Sequence, residues 1–225
     1  MRRDRGVALL FALLTLAALL LATLALVRSV DTSTQLLGNI GFKQDAIATA
    51  DQATRQAINW LTLNSATLNS DIPAGGYYAS TKELASDGVT VQPPVDVTGQ
   101  QLPGGTANPN NRQLVDWDGN GCQSAVNGTY NGCTLLPASG GTINGNSTSY
   151  VVFRQCSKAG DYILDSTISC TRPIGGSADG DASKSPDDYN KRRLPGGSGP
   201  PYYRVVVRVL GARNTVSFTE TIVHF

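Results

Sequence analysis

The sequence predicts an α+β protein in which a long N-terminal hydrophobic helix packs on an antiparallel β-sheet domain. Three features lead to this prediction: an uncharged apolar run at Val7–Val27, helical spacing of apolar residues beyond it, and two alternating runs at the end of the chain. The 24 glycines and 11 prolines favour turns and loops over a helical bundle in the remainder. We therefore divide the chain into residues 1–6, a helix at 7–64 with its membrane part at 7–27, and one β domain at 65–225.

The helix is preceded by a short basic segment, Arg2-Arg3-Asp4-Arg5-Gly6, and the apolar run has only Thr15 and Thr23 as polar members. At about 1.5 Å per residue, the run spans the roughly 30 Å hydrocarbon core of a bilayer. The arginines favour a cytoplasmic N-terminus, which places the chain after about Arg28 outside the cytoplasm. The residues that we expect in a membrane or filament core include Val7, Leu10, Phe11, Leu14, Leu21 and Val27.

Helical spacing continues after the apolar run, at Leu36, Ile40, Ile47, Thr54, Ile58 and Leu61. No proline occurs before Pro73. Gly38 and Gly41 each lower local helix stability by about 1 kcal/mol relative to Ala, so that two helices hinged there are the alternative to one. We predict one helix from about residue 3 to about residue 64, whose second half is amphipathic and packs on the β domain.

Three interpretations of the N-terminal segment compete. A cleaved signal peptide fits poorly, because the apolar run exceeds the usual length of about 7–15 residues and no Ala-x-Ala site follows it. The second interpretation is a plain signal anchor, which holds a periplasmic domain to the membrane. The third depends on Gly6, because a short charged leader that ends in Gly before an apolar helix resembles a type IV prepilin. That resemblance implies cleavage after Gly6 by a prepilin peptidase and N-methylation of Val7.

The resemblance extends along the chain. The ordered segments Arg5–Leu10, Arg28-Ser29, Leu37-Gly38-Asn39 and the Ala-rich Gln44–Leu61 are similar to the N-terminal domain of PilX-type minor pilins of type IV pili. The stretch that ends at Cys156 resembles the C-terminal half of the same family. A type IV pilin-like fold is what the resemblance implies, with the β domain carried on the second half of the helix.

Phe11 departs from the pattern of major pilins, which carry Glu at this fifth mature position. In that family the carboxylate is thought to neutralise the N-terminal amine of a neighbouring subunit, and an unpaired charge in an apolar core is costly. PilX-type minor pilins and the K-type minor pseudopilin of type II secretion also lack this Glu, by resemblance. We therefore expect a subunit at or near a filament tip.

Four cysteines, Cys122, Cys133, Cys156 and Cys170, follow the membrane run, where disulfides persist if the compartment is oxidising. Of the three possible connectivities, Cys122–Cys133 and Cys156–Cys170 are favoured because each pair closes a short loop containing Gly, Asn or Asp. A zinc site is the alternative. It lacks Cys-x-x-Cys spacing, and His224 is the only histidine of the chain.

A weak calcium motif occurs at Asp116, Asp118 and Asn120, with Gly121 at the sixth position of the loop. The twelfth position, which needs a bidentate Glu, is Asn127. An Asx-type turn is the alternative. A weaker acidic candidate combines Asp179-Gly180-Asp181 with Asp187-Asp188. Apart from calcium at these places, we expect no cofactor.

The strands are predicted from β-forming runs bounded by turn residues. The candidates are Thr90–Gln92, Gln113–Trp117, Ser149–Arg154, Asp161–Ile168 and a final antiparallel hairpin around Gly211, and Pro173–Pro201 is predicted to be a long surface loop. In the hairpin, Tyr203, Val205, Val207 and Val209 share a face, as do Val216, Phe218 and Ile222. We expect its buried face to lie on the second half of the long helix.

The composition argues against nucleic acid as a partner, because the net charge is +1 and no basic cluster occurs. No nucleophile, phosphate-binding or dinucleotide motif is present, so we predict that the chain is not an enzyme. The resemblance implies a minor pilin that begins in the inner membrane with its β domain in the periplasm and then joins a pilus at the cell surface. It would support pilus assembly, and through it adhesion or motility.

The partners implied are other minor and major pilins, a large tip adhesin, the pilus assembly platform and prepilin peptidase. The alternatives are a minor pseudopilin of a type II secretion system and a signal-anchored periplasmic binding protein or hydrolase.

Overall fold

The structure is a computed structural model that describes residues 4–98, 112–122, 133–173 and 199–224, without the side chains of 4–8 and Arg213. The chain divides into two compact units, Met1–Asp45 and Ala46–Phe225. The first unit is formed by the beginning of helix α1, which is continuous from Asp4 to Leu63. The prediction of one uninterrupted helix is therefore confirmed, and the alternative of two helices hinged at Gly38–Gly41 is wrong.

The end of α1, at Ala46–Leu63, forms part of the core of the second unit. Its buried apolar positions recur every three or four residues and are nearly all alanine: Ala46, Ala50, Ala53, Ala57 and Leu61. This stripe differs from the predicted one, since Ile47 is 53% exposed and Ile58 is only half-buried. Alanine lets the helix axis approach the sheet closely, which a β-branched side chain in the same place would prevent.

The second unit contains a five-stranded mixed sheet and a separate pair of short strands. In chain order the strands are β1 (Tyr77–Tyr78), β2 (Val95–Asp96), β3 (Gln113–Leu114), β4 (Ala138–Ile143), β5 (Asn146–Arg154), β6 (Tyr203–Leu210) and β7 (Val216–Val223). The sheet has the order β1-β5-β6-β7, and β4 pairs with β5 alongside β1. The predicted antiparallel sheet needs correction, because β1 runs parallel to β5, and β2 parallel to β3.

The two faces of the sheet are buried by different parts of the chain. On one face Tyr203, Val205, Val207 and Val209 of β6 join the alanine stripe of α1 in one core cluster. On the other face, Val206 clusters with Val151 and Phe153 of β5 and with residues from the loops, Val97, Val115 and Leu135. Because both faces are covered, β5 and β6 consist largely of β-branched and aromatic residues.

Three apolar residues of β7, Val216, Phe218 and Ile222, lie on the face of the sheet opposite to α1, which corrects the expected placement. The register pairs Phe218 with Arg208 and Ile222 with Arg204, so Val216, Phe218 and Ile222 share the face of the two arginines. Phe218 packs on Trp117 at 5.7 Å between ring centroids. Alternation alone identified the strand, but it could not show which of its faces meets the helix.

Three predicted strands need revision. Thr90–Gln92 contributes only an isolated bridge between Val91 and Leu84, and the strand predicted at Gln113–Trp117 ends at Leu114. Asp161–Ile168 forms turns, because the Asp161 carboxylate accepts the amides of Ile163 and Leu164. Strand β4 was not predicted, since its Gly-Gly pair conceals the pattern. Most of the predicted loop Pro173–Pro201 lies outside the described residues, as do its acidic candidates and Asn127.

Candidate functional site

The first candidate is the apolar part of α1, which is long and apolar enough to cross a membrane. Between Leu9 and Val27 its large apolar side chains are 56–71% exposed, and Phe11 is exposed at 61%. The hydroxyls of Thr15 and Thr23 donate to carbonyls three residues earlier, each at 2.9 Å. Both polar side chains are therefore satisfied within the helix, which hydrocarbon surroundings require.

The predicted processing residues Gly6 and Val7 lie in the first turns of α1, in a part where only the backbone is described. The predicted core residues Leu10, Leu14, Leu21 and Val27 are all among the exposed ones. The described part of α1 thus carries one continuous apolar surface from Leu9 to Val27. Such a surface needs lipid or apolar helices around it.

The second candidate is the calcium motif, whose oxygens bind protein groups. Asp116 is buried, and its two carboxylate oxygens accept the amides of Asn120 at 3.0 Å and Gly121 at 2.9 Å. The Asp118 carboxylate lies 2.6 Å from the guanidinium of Arg208. This geometry is that of the alternative, an Asx-type turn, here attached to β6 through Arg208. A neighbouring guanidinium also disfavours a divalent cation at Asp118.

The four cysteines form the two favoured disulfides, Cys122–Cys133 and Cys156–Cys170. The Asp116 carboxylate lies within 4.8 Å of the sulfurs of Cys122 and Cys133. These sulfurs are oxidised, so that they offer no thiolate to a metal, and thiolate is the form that binds zinc. The pair instead packs on Leu114 of β3. Its role is therefore structural.

The third candidate is the loop closed by Cys156–Cys170, which we call the 156–170 loop. It is fixed to the sheet by Arg154, a side chain only 1% exposed at the end of β5. The guanidinium donates to the carbonyls of Ala79, Leu68 and Gly160 at 2.8–3.1 Å and to the side-chain carbonyl of Asn69 at 3.2 Å. Carbonyl dipoles on several sides thus solvate this buried charge in place of water.

The turn in this loop presents two adjacent aliphatic side chains to solvent. Ile163 is 76% and Leu164 85% exposed. Beside them the ring of Tyr162 lies near two guanidinium groups, 5.6 Å from that of Arg154 and 4.7 Å from that of Arg172. A loop held at its base by a disulfide and a buried arginine keeps these side chains in a fixed position.

A cleft of about 440 Å³ lies beside the Cys156–Cys170 disulfide. It is lined by the disulfide, by apolar Leu84 and Val91, and by polar side chains: Thr81, Glu83, Gln155, Ser157, Ser169 and Thr171. The cleft could hold a small polar ligand. Its polar groups are the Glu83 carboxylate, the Gln155 amide and four hydroxyls.

The titratable groups of the sheet have structural roles. Burial raises the pKa of Tyr77, Tyr78, Tyr150 and Tyr203, so that these phenols stay protonated at neutral pH. The Tyr77 hydroxyl donates to the Leu68 carbonyl at 2.8 Å. The His224 ring meets the Tyr202 ring edge-on at 5.4 Å between centroids. None of these contacts assembles an acid–base pair.

Sequence reasoning missed Arg154 and the exposed pair in the 156–170 loop. The signal for the arginine was its position after the apolar run Tyr150–Phe153, where a charge needs partners. The exposed pair, Ile163 and Leu164, carried no such signal, because Ile-Leu in a short run is equally typical of a buried strand. Comparison of the chain with known protein families, with curated proteins and with solved structures found no match.

Proposed function

We propose that this chain is a minor pilin of the PilX type, which takes part in the initiation of type IV pilus assembly and resides at or near the pilus tip. The observation that carries the proposal is helix α1: one 60-residue helix that is apolar and exposed at its start and amphipathic at its end. A plain anchor needs only a span of about 20 residues and a linker. The uninterrupted helix is what a filament built from packed helices requires.

The mechanism is assembly. The apolar run Val7–Val27, whose large side chains are exposed from Leu9 onward, holds the chain in the inner membrane until helices of other pilins replace the lipid around it. Prepilin peptidase removes residues 1–6 and frees the amine of Val7. The β domain, closed by two disulfides, folds in the periplasm, where they persist.

Phe11 determines the position in the filament. An apolar residue at the fifth mature position cannot neutralise the amine of a neighbouring subunit, so the subunit is suited to a place where that contact is not made. The 156–170 loop then presents Ile163 and Leu164 to the other minor pilins, to a large tip adhesin or to the assembly platform. Adhesion or motility follows from the assembled pilus.

The experiment compares sheared surface filaments from cells that make the wild-type chain or Gly6→Leu, with Gly38→Ala as a matched control that also removes a helix glycine. The proposal predicts wild-type and Gly38→Ala chains in the filament fraction, with immunogold label at tips. Gly6→Leu remains in the inner membrane with its β domain folded. Label distributed along the shaft contradicts the tip position, and normal entry of Gly6→Leu into filaments contradicts the prepilin itself.

A signal-anchored periplasmic binding protein is the second candidate, favoured by the cleft of about 440 Å³. It predicts that replacement of residues 1–30 by an unrelated membrane anchor leaves function intact. The minor-pilin proposal predicts loss of surface piliation in the same strain. A type II secretion pseudopilin shares the prepilin chemistry, and loss of protein secretion without loss of pili identifies it.

A further inference from the structure

The two edges of the five-stranded sheet differ in how they are protected. One edge is formed by β1, which has two residues, and by β4, which has a bulge between Ser139 and Gly141. Short strands and bulges are the devices by which proteins prevent edge-to-edge pairing. The other edge is β7, eight residues long, without proline, glycine or a bulge, and paired with β6 in unbroken register. Within the described residues, β7 has a strand partner on that side only.

The hydrogen-bonding groups that β7 turns outward follow from the hairpin. The Gly211 amide donates to the Thr215 carbonyl at 2.8 Å, and the register continues with Leu210 opposite Val216. Hydrogen-bonded and non-hydrogen-bonded pairs alternate along an antiparallel ladder. The odd-numbered residues of β7 therefore bond to β6. The amides and carbonyls directed to the open edge belong to Val216, Phe218, Glu220 and Ile222.

One buried polar group on β7 also lacks a partner. The hydroxyl oxygen of Thr219 is buried and has no hydrogen-bond partner within the described part of the chain. Thr219 lies in the middle of the strand, opposite Val207. Val216 and Ile222, at the two ends of the strand, are 46% and 61% exposed. Thr219 lies on the α1 face of the sheet with Val207, and Val216 and Ile222 lie on the other face, so both faces of this edge strand carry groups that a further strand would cover.

We infer that β7 pairs with β7 of a second copy of this chain, antiparallel and centred on Thr219, so that the two sheets become one. In this register Val216 lies opposite Ile222 of the second copy, at both ends of the pairing. The outward groups of each copy meet those of the other, which is the requirement for hydrogen-bonded pairs. Thr219 lies opposite Thr219 of the second copy in a non-hydrogen-bonded pair, where side chains are close enough for a Thr–Thr hydrogen bond.

The charges select the same register. Centring the pair on Glu220 places two carboxylates opposite each other, which is destabilising. Centring it on Phe218 places Glu220 opposite Val216 and leaves Ile222 unpaired. In the register centred on Thr219, Glu220 lies opposite Phe218 and keeps its ion pair with Arg204, 2.9 Å away within its own copy. The contact is isologous and closes as a dimer.

The test uses introduced cysteines, because all four natural ones are in disulfides. Non-hydrogen-bonded antiparallel pairs have Cα atoms about 4.5 Å apart, within the range that a disulfide spans. Full-length Thr219→Cys, in detergent with a mild oxidant, should form a covalent dimer of about twice the 23.6 kDa chain mass. Ser217→Cys and Thr221→Cys should each remain monomeric alone and cross-link when mixed, since these positions face each other only between copies.

Two lysine variants in the Thr219→Cys background show whether cross-linking depends on β7 or on another surface of the chain. Ile222→Lys should reduce cross-linking at least tenfold, since a charge replaces one half of the Val216–Ile222 pair. Ile163→Lys changes an isoleucine away from β7 that is also more than half exposed, and it should leave cross-linking unchanged. The inference is overturned if folded Thr219→Cys stays monomeric, if Ser217→Cys and Thr221→Cys do not cross-link when mixed, or if Ile222→Lys has no effect. The pairing is independent of whether the chain enters a filament.

Discussion

The two ends of helix α1 use apolar residues in opposite ways. From Leu9 to Val27 the helix carries mostly leucine, and its large apolar side chains are all more than half exposed. From Ala46 to Leu61 the apolar positions that are buried are mostly alanines, and Ala53 and Ala57 are completely buried. Packing on a sheet selects small side chains because the backbones must approach closely. Lipid or neighbouring helices accept large ones. In α1, the size of the apolar side chains distinguishes the end packed within its own domain from the end that needs an outside partner.

The largest expected change in free energy comes from a charged residue introduced into either end of α1. Ala57→Asp puts an unpaired carboxylate into the core of the second unit and should lower its free energy of unfolding by about 3–5 kcal/mol. Leu21→Asp should leave that free energy unchanged and weaken membrane insertion by about 3 kcal/mol. Urea unfolding followed by tryptophan fluorescence separates the two effects, because both tryptophans, Trp60 and Trp117, lie in the second unit. Equal loss of domain stability in both variants would mean that the two ends do not differ.

Substitution of a glycine in each of the two units should give a smaller difference in stability of the same kind. A Cβ on Gly75 would lie 2.3 Å from the Trp60 ring, whereas nothing lies within 4 Å of one on Gly38. Gly75→Ala should therefore destabilise the second unit by about 1–3 kcal/mol through overpacking. Gly38→Ala should leave the unfolding of that unit unchanged and stabilise the helix locally by about 1 kcal/mol. A stable Gly75→Ala would show that Trp60 is not held against this turn.

The smallest effect concerns pH. Burial raises the pKa of Tyr77 above its ordinary value of 10.0, so the unfolded chain loses that proton first as pH rises. The stabilising contribution is complete below about pH 10 and is lost above it. We expect cooperative unfolding of the second unit above pH 10, measured by circular dichroism together with phenolate absorbance. Phenolate that forms near pH 10 without unfolding would contradict this burial.

Tyr77→Phe tests the same tyrosine at neutral pH. It removes the hydrogen bond to the Leu68 carbonyl and should cost about 1 kcal/mol. It should also shift the alkaline transition upward, because one phenol fewer is left to ionise. Phe218→Leu is a suitable control on a partly exposed aromatic residue of the same sheet, and it should leave the alkaline transition in place.

The sequence predicted those parts of the fold that are determined by residues close together in the chain. The helix was predictable because its apolar run is long and no proline interrupts it before Pro73. The final hairpin was predictable from alternation around Gly211, and the disulfide pairs from their short loops. Each of these features involves residues near one another in the sequence.

The remaining features depend on distant contacts. The parallel pairing of β1 with β5 joins Tyr77 to Val152. Strand β1 has only two residues, which is too short for a sequence pattern to predict its partner. Arg154 finds its partners across more than 70 residues of sequence, at Ala79, Leu68 and Asn69. The alanine stripe was overlooked because apolar periodicity gives weight to large side chains, and here the packed positions are small. The carboxylates of Asp116 and Asp118 resembled ligands until their protein partners were known.

The central claim, that the apolar end of α1 serves a filament, is tested most directly by the mass of the mature N-terminal peptide. The chain is expressed in the same cell with and without a prepilin peptidase, and its N-terminal peptides are analysed by mass spectrometry. We predict an N-methylated Val7 that appears only with the peptidase. An N-terminus at Met1 or Arg2 in both cells, or cleavage near Ala25, would contradict the proposal.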